Sequence, residues 1–139
     1  MPEAATRPNP SVRIPILRLN EDMRLAWLNH VYWTRMYLMS AVADNADQQA
    51  VEERLLETAD EITDVFARYL PIATTRQLRN LLTEHIEIGG QIIQALKAKN
   101  MTDYDALVQE WYRNANQMAA PFCEITIRTL RAGKPEICC

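Results

Sequence analysis

The chain contains two histidines, His30 and His85. Imidazole titrates near neutral pH and offers a nitrogen lone pair to protons, donors or metals. Both fall on apolar stripes with helical spacing. His30 belongs to Trp27, His30, Thr34, Tyr37 and Ala41, while His85 lies between Leu81, Leu82 and Ile88. Alternating steps of three and four place such residues on one helix face, so both rings are predicted to look inward. Counting outward from the turns near positions 46, 72 and 101 puts His30 beside Ile62 and Glu61. The same count brings Glu61 level with about position 83, and His85 within a turn of Asn114. His30, Glu61, His85 and Asn114 are therefore expected in one central slab. Thr34, Arg35 and Thr58 lie a turn away, and Trp27, Trp111 and Tyr112 supply aromatic walls.

Three chemistries suit this slab. A structural network asks least, because buried polar groups must be paired and a His–Glu–His–Asn set pairs itself. A small-ligand site would use His30, Thr34, Arg35, Glu61, His85, Trp111 and Asn114. A metal site would use His30, His85 and Glu61, or two imidazoles could clasp a haem. Other centres are argued against. Di-iron bundles need Glu-x-x-His pairs, but Trp27 and Leu82 stand three residues before the histidines. A hemerythrin-like centre needs more than two histidines. Catalytic zinc needs a third good ligand, for which Glu61 is the inward-facing candidate. No Cys–His pair can be drawn to Cys123, and no phosphate-cradling glycine loop occurs. The chain thus reads as a binding or interaction protein more than an enzyme, with a histidine general acid/base as the third reading.

The elements that position these residues read as helices. The chain has 139 residues, 48% hydrophobic and 24% charged, and only three glycines. That is one ordinary globular domain, able to bury roughly two-thirds of its unfolded surface. A net charge of −3 lacks the basic excess that nucleic acid rewards. No eighteen-residue apolar run and no secretory core are present, so a cytoplasmic protein is expected, with no membrane or nucleic-acid partner. Three cysteines, Cys123, Cys138 and Cys139, give neither metal-ligand spacing nor a complete disulfide set. The terminal pair superficially resembles a prenylation signal, but no GTPase motif precedes it.

Four prolines within residues 1–19 predict an extended or disordered arm. Helical patterning then runs from Asn20 to about Val42. A second helix opens at Asn45, in capping-box spacing with Gln48, and stops before Pro71. A third opens on Thr74 with Gln77 and ends near Asn100, and a fourth starts at Thr102. Pro121 is expected to kink the fourth or divide it from a segment over 122–131. Short connections predict an all-α, antiparallel up-down-up-down four-helix bundle over 20–132, with a tail at 133–139. Gly89 and Gly90 interrupt the third helix, either for close packing or to make room for a ligand.

The segments LAWLNHVYWTRMYL, RLLETADEI, LLTEHIEIGGQIIQALKA and WYRNANQMAAPF resemble small bacterial helical proteins, some of them labelled acetylglutamate kinase. The genuine kinase is a larger α/β enzyme with glycine-rich nucleotide loops, and this chain has none. The resemblance spans roughly residues 20–122 and is most specific at His30, Trp33, Thr34 and Arg35, and at Trp111, Tyr112, Asn114 and Ala115. It implies a helical bundle of uncharacterised role. Such relatives have Asn and Asp in the second helix where this chain has Thr58 and Glu61. The function expected is therefore a binding or interaction bundle, as a possible homodimer, holding a small molecule or ion in its polar slab.

Overall fold

The computed structural model describes residues 10–133, with side chains over 17–121. Four helices account for nearly all of it: α1 (Pro10–Ala43), α2 (Gln48–Phe66), α3 (Ile72–Lys97) and α4 (Met101–Gly133). Connections of three to five residues make sequential neighbours antiparallel. The terminal residues 1–9 and 134–139, including Cys138 and Cys139, lie outside the described residues.

The first correction concerns the arm, because residues 10–19 are helical and α1 begins at Pro10 rather than Asn20. A proline at a helix start loses nothing, since the first N–H groups have no intrahelical acceptor. Only Pro15 removes a bond, and the rest of the segment is carried by a long apolar helix.

The caps also differ from expectation. Asp44 (φ 54) and Lys99 (φ 56) take the left-handed conformation, while Asn45 N–H reaches Ser40 O at 3.0 Å and Asn100 N–H reaches Ala95 O at 2.9 Å. Those bonds terminate α1 and α3 in Schellman fashion. Asn45 is thus spent ending α1, and Asp47 stands at the N-cap of α2. Asn100 also caps α4 with its side chain, while Lys99 takes the left-handed position expected of Asn100: Asn100 Oδ1 accepts Asp103 N–H at 3.2 Å and Asn100 Nδ2 donates to Asp103 at 2.6 Å. Helix α3 opens at Ile72 behind Pro71, two residues before the predicted Thr74 cap. Pro121 sits inside α4, which runs on to Gly133 as one helix rather than two.

The core is centred on α2, whose Val51, Leu55, Ala59, Ile62 and Val65 meet Ala26, Tyr37 and Ala41 of α1 and Leu78, Leu82 and Ile86 of α3. Helix α4 packs on α3. Among the described residues no Cα of α1 comes within 8 Å of α4, so the bundle is open along that seam. Helix α1 is apolar on several sides, and Leu25, Leu28, Val31, Tyr32, Met39 and Val42 are exposed. No described helix is long and apolar enough to cross a membrane.

Candidate functional site

The open seam between α1 and α4 is a cleft of about 510 Å³, floored by α3. Helix α1 contributes His30, Thr34, Tyr37 and Leu38; α3 contributes His85, Ile86, Gly89, Ile92 and Ile93. Helix α4 contributes Tyr104, Val108, Trp111 and Tyr112, and Leu55 of α2 reaches in from below. Mostly apolar walls around a few polar groups are the usual make-up of a small-molecule site.

The hydrogen bonds fix the tautomer of each histidine. Thr58 Oγ donates its one proton to Leu55 O at 2.6 Å, so it must accept from His30 Nδ1 at 2.7 Å. Asn114 Nδ2 donates to Leu81 O at 3.1 Å and to Glu84 at 2.8 Å. Its Oδ1 therefore accepts from His85 Nδ1 at 2.9 Å. Both Nδ1 atoms thus carry hydrogen. In the neutral rings Nε2 is then a lone-pair acceptor, and neither Nε2 has a hydrogen-bond partner among the described residues.

Packing holds the rings further. Trp111 stacks on His85 with centroids 4.3 Å apart and planes inclined 22°, and its indole N–H donates to His85 O at 3.1 Å. Trp27 leans on His30 at 5.6 Å, and Thr34 Oγ donates to His30 O at 2.7 Å. Burial lowers the pKa of both imidazoles; His85 lowers that of His30 further, whereas the Asn114 bond partly opposes the shift at His85. Two neutral imidazoles near each other are the result.

A pH prediction follows. Because both folded pKa values lie below the unfolded value of about 6.5, the unfolded chain binds protons first on acidification. The histidine contribution to stability is complete above about pH 6.5 and is lost as pH falls through the folded pKa values. Urea midpoints measured between pH 7.5 and 5 should drop, and the part of the slope due to these rings should vanish in the His30→Leu/His85→Leu variant.

The glycines divide the two roles proposed for them. A Cβ on Gly90 would stand 2.8 Å from Tyr37 Oη, so this glycine admits the tyrosine and lets α1 approach α3. A Cβ on Gly89 would meet only Trp111 Nε1 at 3.8 Å, and Gly89 lines the cleft. The Tyr37 hydroxyl is held above its ordinary pKa by burial and then by the Glu52 carboxylate.

Of the residues singled out from sequence, His30, Thr34, His85, Trp111 and Tyr112 line the cleft, whereas Trp27 lines a separate depression with Met23 and Leu28. Asn114, 2% exposed, stands behind His85 as its acceptor. Thr58 is the partner of His30, one turn from the predicted Ile62 level. Arg35 and Glu61 are corrections: both line a trough on another side of α1, with Leu25, Leu28 and Tyr32. Glu61 there bonds Asn29 and pairs with Arg54 at 2.7 Å, away from both imidazoles. The three-ligand set of His30, His85 and Glu61 therefore does not assemble. Among the described residues no three His, Cys, Asp or Glu come together to hold a metal ion. Tyr104, Val108, Ile92 and Ile93 were missed, although the spacing of Tyr104, Val108 and Trp111 marks a common face.

Chemically the cleft offers two fixed neutral acceptors in apolar surroundings. Neither ring is backed by a carboxylate that would stabilise an imidazolium, and the aliphatic hydroxyl in the lining, Thr34, donates to the His30 carbonyl rather than to an imidazole. Comparison with known proteins adds no assignment: no protein family, curated protein or solved structure matches this chain.

Proposed function

We propose that this chain is a ligand-binding bundle whose α1/α4 cleft takes a flat, mostly apolar molecule carrying hydrogen-bond donors. The observation that carries this reading is the pair of imidazoles, each held through Nδ1–H by an oxygen of the fold, with Nε2 left over and both rings lining one cleft. Neither Nε2 is sealed away, so each is open to accept a hydrogen bond from a guest that replaces water in the cleft. The stacked indole of Trp111 and the rings of Tyr104 and Tyr112 suit a planar guest, and the volume suits a ligand of drug size.

The same pinning favours one second reading. Metal-binding histidines donate their other N–H to an oxygen, which fixes the ring. With no three-residue metal cluster among the described residues, the metal form of this reading is a porphyrin iron, which brings its own four nitrogens and needs only axial imidazoles. Membership of the small bacterial helical proteins it resembles stays part of this proposal and supplies no activity.

Titration with anilinonaphthalene sulfonate, an aromatic anion bearing an N–H, tests the first reading, and haemin titration tests the second. Saturable enhancement of the dye fluorescence is expected, weakened at least about tenfold by Gly89→Leu, which fills the cleft from the floor. A low-spin bis-imidazole haem spectrum lost in both His30→Ala and His85→Ala would shift the assignment to haem. Binding of neither probe, or dye binding indifferent to Gly89→Leu and His85→Ala in folded variants, would overturn the proposal.

A further inference from the structure

On the side of α1 away from the core runs a second stripe that the monomer does not use. Leu17, Glu21, Leu25, Leu28, Tyr32, Arg35 and Met39 follow one another at steps of three or four, the spacing of a helix-pairing seam. Its large apolar members are 57% (Leu17), 71% (Leu25), 67% (Leu28), 57% (Tyr32) and 57% (Met39) exposed. Glu21 and Arg35 are exposed as well, and neither has an ion-pair or hydrogen-bond partner among the described residues. Five large exposed apolar side chains in one line form a continuous patch of the kind that marks an interaction surface.

We infer that this stripe is a homodimer interface, formed by two copies of α1 packed antiparallel about a two-fold axis through Leu28. The reason for a second copy lies in the order of the residues. Under that symmetry a residue n places before Leu28 in one copy opposes the residue n places after it in the other. Leu28 then meets itself, and Leu25 opposes Val31, next to Tyr32. Glu21 opposes Arg35, and Leu17 opposes Met39. Apolar residues meet apolar ones along the seam, and the Glu21–Arg35 pair forms twice. The stripe is complementary to its own reverse, as an isologous interface requires. Parallel pairing would set Glu21 on Glu21 and Arg35 on Arg35, which repels at both layers.

Size and shape agree. Standard interfaces bury about 600 Å² or more from each partner, which five large half-exposed side chains on one helix approach. Beside the stripe, Val65 and Arg68 of α2 complete an apolar trough of about 920 Å³ with Leu25, Leu28 and Tyr32. The trough gives a partner helix a seat between α1 and α2. His30 and Thr34 lie on a different side of α1, on the cleft, so the pairing leaves that site open.

Sedimentation equilibrium of the full chain at micromolar concentrations tests the inference. The wild type is expected to dimerise, and Leu28→Glu, which sets two carboxylates against each other on the axis, is expected to be monomeric. Glu21→Arg and Arg35→Glu should each raise the dimer dissociation constant on the order of tenfold, and the double exchange should return it to within about threefold. Circular dichroism confirms that the exposed substitutions keep the helices; should Leu28→Glu lose them, the charge exchange decides. A wild type monomeric throughout, a dimer indifferent to Leu28→Glu, or a double exchange weaker than either single one overturns the antiparallel pairing. A monomeric wild type that cosediments with phosphatidylserine vesicles would assign the face to a membrane surface and likewise overturn it.

Discussion

Replacing Asn114 with alanine is expected to lower the unfolding free energy by about 2–4 kcal/mol, read from urea denaturation at pH 7.5. The side chain is 2% exposed and is the one fully buried polar group that α4 contributes among the described residues. It satisfies three groups of α3 at once: the Leu81 carbonyl, the Glu84 carboxylate and the His85 Nδ1–H. The Leu81 carbonyl keeps its place in the helix ladder, and exposed Glu84 turns to water, so those losses are small. The His85 N–H is different, since it is left in a half-buried site without an acceptor, at about 1–3 kcal/mol. A cavity adds to this. Asn114→Asp separates the two causes: it keeps an acceptor for Nδ1 and fills the space, but it places a carboxylate beside the ring. The His85 pKa should then rise, visible in the pH dependence of its ring proton shifts. No rise in that variant would mean that Asn114 does not orient the imidazole.

The second large effect is expected at Gly90, and its neighbour is the control. Gly90→Leu should destabilise the fold by about 2–3 kcal/mol, because overpacking costs of this order exceed the gain of about 1 kcal/mol in helix propensity. The physical cause is local. The Tyr37 hydroxyl already stands 2.8 Å from where a Cβ would be, and Tyr37 is 4% exposed. A larger side chain must displace the Tyr37 ring or push α1 away from α3, and either change disturbs the cleft that Tyr37 lines with both histidines. Gly89→Ala, with only the Trp111 indole at 3.8 Å, should be neutral or stabilising by up to about 1 kcal/mol. Thermal unfolding of the two variants should therefore move in opposite directions. Equal losses would mean that the glycines act together and that the division of roles is wrong.

The periodicity of α2, α3 and α4 and their short connections were enough to predict an all-helical bundle with sequential antiparallel neighbours, because apolar spacing and turn lengths are local properties of the chain. Helix ends were read less well. Asn45 and Asn100 look alike as caps in sequence, and both close Schellman bonds with the helix before them, yet of the two it is Asn100 whose side chain also caps the helix after it. Where each helix ends depends on which residue takes the left-handed conformation, and here these are Asp44 and Lys99 rather than a glycine or asparagine.

For the site, counting from turns placed His30 and His85 at the correct height to within one helical turn of Thr58 and Asn114. Height is fixed by the rise per residue. Direction around the axis is not, because one residue turns the face by about 100°. That is why Glu61, adjacent in sequence to the buried Ile62, went with Arg54 and Asn29 to the other side of α1, and why Arg35 left the site although it follows Thr34 directly. The sequence by itself determined the helices, their order and the level at which polar side chains gather. Only the tertiary structure decided which of them share a cleft, since that depends on how far α1 and α4 stand apart, and on a Gly90–Tyr37 contact that no local pattern encodes.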